Sequence, residues 1–316
     1  MSWTSEIKNV LKEAGSTTLI LLKILIPVSI IVKILAEFGL IEVIGEYLSP
    51  VMSFVGLPGE FGLVWATAMF TNIYAGIVVF VNLSITNVYS VAQVTILGCM
   101  MLLAHALPIE ARIAQKAGVR LWYVLFLRIG GAILIGFILS FIFTAFNLFQ
   151  YENKSIWQPA NSDPTLMIWV LDQIRFYLMI FCIILSLVAL LTVLKKTGIL
   201  NRINTFLKPA LRVSGMSKNA APLTIIGTTL GLAYGGGLII KEAKSGLLSK
   251  KDVFYSLSLM GMSHSLIEDT LLTVSIGASI FFVLFGRVIF AFIIMIILIK
   301  IVDHISNKTF EKYLVN

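Results

Sequence analysis

Long apolar runs alternate with short polar loops along this chain, and the runs have helical length. Ser16 to Glu37 is the first, with few charges over a span that crosses a bilayer core as a helix at about 20 residues. An amphipathic stretch with one proline follows, Ile41 to Val55, then a Gly-, Thr- and Tyr-rich apolar segment, Phe61 to Leu83. Two further apolar runs, near Val88 to Ala111 and Leu121 to Leu148, close this first half. A polar linker, QYENKSIWQPANSDP at Gln150 to Pro164, then intervenes. The second half repeats the order: Phe176 to Lys195, Leu200 to Ser214, Ala221 to Ile240, Val253 to Val274 and Ala278 to Ile299. The short alternating segments of a membrane barrel are absent. The pattern predicts an all-α integral membrane protein.

The order repeats residue by residue. A shift of 159 positions puts Gly39 on Gly198, Pro50 on Pro209, Gly56 on Gly215 and Gly76 on Gly235. Met101 falls on Met260, His105 on His264, Gly118 on Gly277 and Arg128 on Arg287. Glu110 falls on Asp269 and keeps its charge, while Tyr74 and Tyr234 match with one residue of slip. The chain holds 3 His, and two of them coincide, which argues against chance. The predicted organisation is an interfacial segment (1–15), a first repeat (16–149), the linker (150–164) and a second repeat (165–316). The first 15 residues lack the short apolar region and cleavage pattern of a secretory signal, so they read as uncleaved.

Charge decides how the Gly-rich segments run. If each crosses the membrane, Arg112, Lys116 and Arg120 fall outside, against the positive-inside tendency. If each dips in and returns, these three lie inside, with Lys195, Lys196, Arg202, Lys241, Lys250 and Lys251. The acidic set Glu37, Glu42, Glu46 and Glu60 is then outside, and both termini are cytoplasmic. The expectation is three transmembrane helices and one re-entrant hairpin per unit, in an inverted tandem repeat within the cytoplasmic membrane. Such a hairpin is tolerated at membrane depth only where it lines a cavity or is buried in protein. Eight ordinary helices with close glycine packing is the competing topology.

Composition supports the membrane assignment, since 58% of residues are hydrophobic and only 13% charged, where a soluble domain carries about 25%. The net charge of +8 sits in loops, where topology accounts for it, so nucleic acid is excluded as a partner. Cys99 and Cys182 lie in apolar helices and imply no disulfide framework. No HExxH motif or activated serine is evident, which argues against an enzyme.

Ionisable residues at bilayer depth are costly and call for an explanation. One unit carries His105 and Glu110, five apart with Pro108 between them; the other carries His264, Glu268 and Asp269. His264 and Glu268, four apart, are expected to share a helix face. Met101 and Met260 each precede a histidine by four. Imidazole and carboxylate, with thioether, suit a transition-metal cation, and a first ligand set is His105, Glu110, His264 and Glu268. The same groups would serve a proton relay coupled to an organic solute. A purely structural role is also open, in which the carboxylates neutralise the intramembrane Arg128 and Arg287. Asn72, Tyr74 and Tyr234 are candidate substrate contacts at the hairpin tips, and Asp269 is a further candidate within the polar cluster. No cofactor is called for apart from a divalent transition metal as cargo. The implied partners are membrane lipids and a small solute or ion, with homo-oligomerisation left open.

With TNIYAG at Thr71 to Gly76, GLAYGGG at Gly231 to Gly237, and AHALPIE and SHSLIED at the helix breaks, the chain resembles the Gate domain superfamily. That group includes concentrative nucleoside transporters, ferrous-iron permeases and spore maturation proteins A and B. The resemblance implies a permease architecture, with nucleoside transport or a non-transport membrane assembly role as alternatives. The chain has no P-loop, and its hairpins lack the Gln, Asn and Glu pattern by which nucleoside carriers hold ribose and base. Architecture is therefore implied more than substrate.

Overall fold

The computed structural model describes residues 3–84, 87–156, 165–199, 202, 220–231, 239–243, 246 and 248–315. Apart from Arg202, the second amphipathic stretch lies outside the described residues up to 219, and so does the tip that carries Tyr234. Every named element is helical, with two isolated β-bridges between loops. Among the described residues, five helical stretches are long and apolar enough to cross a membrane: Ile7–Glu37, Val91–Lys116, Leu121–Ala145, Leu166–Leu194 and Phe281–His304.

The first half runs α1 (Trp3–Glu37), α2 (Leu40–Phe54), α3 (Phe61–Phe70), α4 (Ile73–Leu83), α5 (Val91–Leu103), α6 (Leu107–Lys116) and α7 (Leu121–Ala145). α1 begins well before the expected Ser16, because nothing in 3–15 breaks a helix and Gly15 has open space around it. The interfacial segment and the first span are thus one helix. The Gly-rich segment is two short helices, α3 and α4, joined at Thr71–Asn72 and packed on each other. Asn72 caps α4, its Oδ1 accepting from Ala75 N at 3.0 Å. Gly76 allows the close approach: a β-carbon there would meet Ala68 Cβ and Met101 Cε, both at 2.8 Å.

After the linker come α8 (Leu166–Lys196), α9 (Ala220–Leu230), α10 (Lys250–Met262) and α11 (Glu268–Ser275). A π-helical turn (Phe281–Gly286) then leads into α12 (Arg287–His304), and α13 (Asn307–Tyr313) ends the chain. The sequence repeat reappears in the helix bounds. Under the same shift of 159, α5 falls on α10 end to end, and α3 starts where α9 starts. Even the caps correspond. Ser90 with Gln93 and Ser249 with Asp252 each form a capping box, satisfying two backbone donors apiece.

The runs near Val88 and Val253 are each broken, within AHALPIE and SHSLIED as expected. α5 stops at Leu103 and α6 starts at Leu107, with Pro108 in the first turn of the new helix rather than inside the old one. The left-handed residue is Ala106, at φ 47°, and its counterpart Ser265 stands at φ 50°. Neither is glycine, so each break costs of order 1–3 kcal/mol, and such strain clusters at functional sites. A hydrogen bond back to the end of the short apolar helix helps to fix each one: Ala106 N to Ala68 O at 3.0 Å, and Leu266 N to Thr228 O at 3.1 Å.

α5 and α10 form the centre. They are buried along nearly their whole length, whereas α1, α8 and α12 show apolar side chains outward. α5 packs along α7, α10 packs on α7 and α12, and α11 meets α5. The first residues of the linker are an anchored brace: Asn153 N reaches Tyr89 O at 2.8 Å, and its Nδ2 reaches Ile276 O at 2.8 Å.

Candidate functional site

The two helix breaks meet in the interior, and their histidines touch. At each break the ring is pinned by its own helix: His105 Nδ1 lies 2.9 Å from Met101 O, and His264 Nδ1 lies 2.8 Å from Met260 O. A carbonyl only accepts, so each Nδ1 carries the hydrogen, and a neutral ring then leaves a lone pair on Nε2. The methionines contribute these carbonyls, not their sulfurs. Met101 Cε packs toward Gly76, and Met260 Cε stands 2.0 Å from where a Gly227 β-carbon would be.

The two Nε2 atoms face each other at 3.2 Å. Glu110 Oε1 lies 3.1 Å from His264 Nε2 and 4.0 Å from His105 Nε2. Asp269 Oδ2 lies 3.6 Å from His105 Nε2 and has no hydrogen-bond partner. With both rings neutral and both carboxylates ionised, four lone-pair-bearing atoms converge. All four residues are buried; His264 is only 1% exposed. The repulsion among the four atoms is relieved by a positive charge, either a proton on one imidazole or a cation held between the rings. His105, His264 and Asp269 offer ligand atoms within 4.8 Å of one another, a grouping able to hold a metal ion. Two nitrogens bound to one tetrahedral ion at the usual length stand about 3.4 Å apart, close to the spacing found here.

Glu268 is elsewhere. The shared face expected for His264 and Glu268 requires one helix through both, but α10 ends at Met262 and α11 begins at Glu268. Glu268 is half-buried and accepts from Tyr74 OH at 2.8 Å. Tyr74, from the first short-helix pair, thus reaches the second break. The sequence named both residues without pairing them, since nothing local marks a contact 194 positions long. Asn72 turns its oxygen to its own helix, so that oxygen is occupied as a cap.

The arginines are both fully buried but differ in their partners. Every nitrogen of Arg128 is engaged. Its Nε donates to Leu103 O at 2.8 Å, one Nη donates to His105 O at 3.0 Å, and the other grips Glu110 Oε2. It closes the broken end of α5 and holds the carboxylate that faces His264. Among the described residues Arg287, the second arginine that a carboxylate could have neutralised, makes no ion pair with a carboxylate and no hydrogen bond to a helix-break carbonyl. One Nη reaches Thr270 Oγ1 at 3.4 Å, while Nε and Nη1 have no partner. The π-turn just before Arg287 has no counterpart in α7, which is regular from Leu121.

The comparisons bear on this architecture. The model of the Gate family, described as nucleoside recognition, matches residues 18–120. The match takes in α2 to α6 and hence His105, Glu110, Asn72 and Tyr74. The chain is also 29% identical over 282 residues to the uncharacterized membrane protein YvoD of Bacillus subtilis (strain 168), which covers 86% of this chain and 87% of that one. No solved structure matches.

Proposed function

We propose that this Gate-segment protein is a multi-pass permease for a small cationic solute, a divalent transition metal being the favoured cargo. The carrying observation is the cluster at the two breaks, in which two imidazoles are fixed by their Nδ1 bonds so that both Nε2 atoms face each other beside a carboxylate oxygen that has no hydrogen bond. Imidazole with carboxylate selects first-row ions over the harder magnesium and calcium, which favour all-oxygen shells. Asp269 replaces Glu268 in the first ligand set, and Glu110, half engaged by Arg128, balances charge at its edge. Two breaks at equivalent positions of a repeat, meeting at one site, fit the inverted-repeat plan of secondary transporters. In that plan the α3–α4 pair and its counterpart around α9 are re-entrant hairpins buttressing the breaks, and both termini are cytoplasmic. No enzymatic role is part of this reading.

A nucleoside cargo is less well supported, because Asn72 caps a helix and Tyr74 serves Glu268. A non-transport membrane assembly factor has one observation in its favour, the near-complete burial of the cluster. Uptake separates the readings. Proteoliposomes holding the full chain should accumulate manganese, iron(II), cobalt or zinc down a gradient, and His264→Ala should abolish this while the protein stays monodisperse. No uptake of any of the four, by a well-folded protein, removes the permease reading.

A further inference from the structure

The difference between the two arginines is an asymmetry inside a symmetric pattern. Arg128 and Arg287 are equivalent by position, as are Glu110 and Asp269, and the helix-end carbonyls of Leu103 and His105 correspond to those of Met262 and His264. In the first repeat every one of these groups is used. In the second, Arg287 Nε and Nη1 and Asp269 Oδ2 all lack a hydrogen bond. Three unmet polar atoms at full burial are costly, each by about 1–3 kcal/mol or more where charged. Arg287, which carries two of them, sits directly after a π-helical turn, Phe281–Gly286, while the equivalent residues of α7 are ordinary α-helix. A π-turn holds an extra residue relative to the α-helix, so converting one to the other rotates what adjoins it, and such turns occur often at functional sites.

We propose that Arg128–Glu110 and Arg287–Asp269 are two locks that close alternately as the repeats exchange conformation. In the state described, the first lock is closed. In the exchanged state the Phe281–Gly286 turn becomes α-helical and swings Arg287 onto Asp269, Met262 O and His264 O. Arg128 lets go of Glu110 as the start of α7 takes up the extra residue. The carboxylate beside the histidines then changes identity, Glu110 being free in one state where Asp269 is free in the other. This gives the permease reading, on which it rests, a means of opening one side at a time. Equal and opposite local changes keep the net cost of switching small, as an inverted repeat requires.

Hydrogen exchange read by mass spectrometry, on the full-length protein in lipid nanodiscs, tests the exchange itself. Glu110→Gln weakens the first lock only. The amides of 121–128 should then exchange faster and those of 281–287 slower, each by roughly tenfold. Asp269→Asn should leave 121–128 protected and 281–287 as in the parent. Where Glu110→Gln does not fold, Glu110→Asp keeps the charge, shortens the reach and carries the same expectation. Acceleration of both segments together, or no change at 281–287, overturns the proposal. Reciprocal change without solute uptake keeps the locks and removes the permease; uptake with non-reciprocal change does the reverse.

Discussion

His105 and His264 stand 159 positions apart in the chain and 3.2 Å apart at their Nε2 atoms. Equivalent residues of a repeat touch each other directly only near the axis that relates the repeats. The contact therefore places the two breaks, and the carboxylates beside them, at the pseudo-symmetric centre of the arrangement proposed. Because each ring is tied through Nδ1 to a carbonyl four residues earlier, neither can turn its donor toward the other.

The arginines should differ in what they contribute to stability. Arg128→Met strands Glu110 and two helix-end carbonyls, a loss of about 3–5 kcal/mol for breaking a buried pair. Arg287→Met removes a guanidinium that is already poorly partnered, so its cost should be clearly smaller. Thermal melting of both variants in one detergent checks this, and an equal loss would show that Arg287 is as well paired as Arg128.

How much of this was legible beforehand follows from the physics of each feature. The membrane class, the repeat and the residues of the cluster came from apolar run length and from rare residue types recurring at one spacing, both of which are sequence properties. The helix breaks were located only approximately, because Ala106 and Ser265 take left-handed backbone that their side chains do not announce. Placing His264 with Glu268 on one helix face followed from that. The Tyr74–Glu268 bond and the unpaired state of Arg287 depend on tertiary packing and on a π-turn, for which the run FFVLFG carries no local signal.

Close packing of the short-helix pair predicts sharp sensitivity at one glycine. Gly76→Ala would press a methyl against Ala68 and Met101 and should destabilise by about 1–3 kcal/mol. Gly130→Ala, in the middle of α7 with open space around it, should be neutral or stabilising by about 0.5–1 kcal/mol. The paired melting curves decide, and a tolerated Gly76→Ala would argue against the close approach of α3, α4 and α5.

Tyr74→Phe should cost about 1–2 kcal/mol, since it leaves a half-buried Glu268 oxygen without its donor. Glu268→Gln keeps an acceptor for the phenol and should cost less. Neither should weaken cation binding as His264→Ala does, because Glu268 stands outside the histidine cluster. Isothermal titration of zinc into the three variants makes the comparison, and loss of binding in Glu268→Gln would restore Glu268 to the ligand set.

The orientation of the repeats has its own readout. Single cysteines at Gln115 and Ser249, in a chain with Cys99 and Cys182 replaced, should both react with an impermeant maleimide only from the cytoplasmic side. These positions follow the first break and precede the second, so opposite repeats bring them to one face. Labelling of either from the outside would contradict the inverted arrangement.

Cobalt(II) absorbance measures the central claim most directly, because the visible bands report both binding and coordination geometry. Titrating the full-length protein in detergent should give one equivalent of tetrahedral cobalt, displaced by zinc. His105→Ala, His264→Ala and Asp269→Asn should each lower affinity by more than about 100-fold, beyond the loss from removing a supporting partner, while Glu268→Gln binds as the parent does. A featureless titration of the folded parent protein, or bands that survive in His264→Ala, would contradict a cation site between the two histidines.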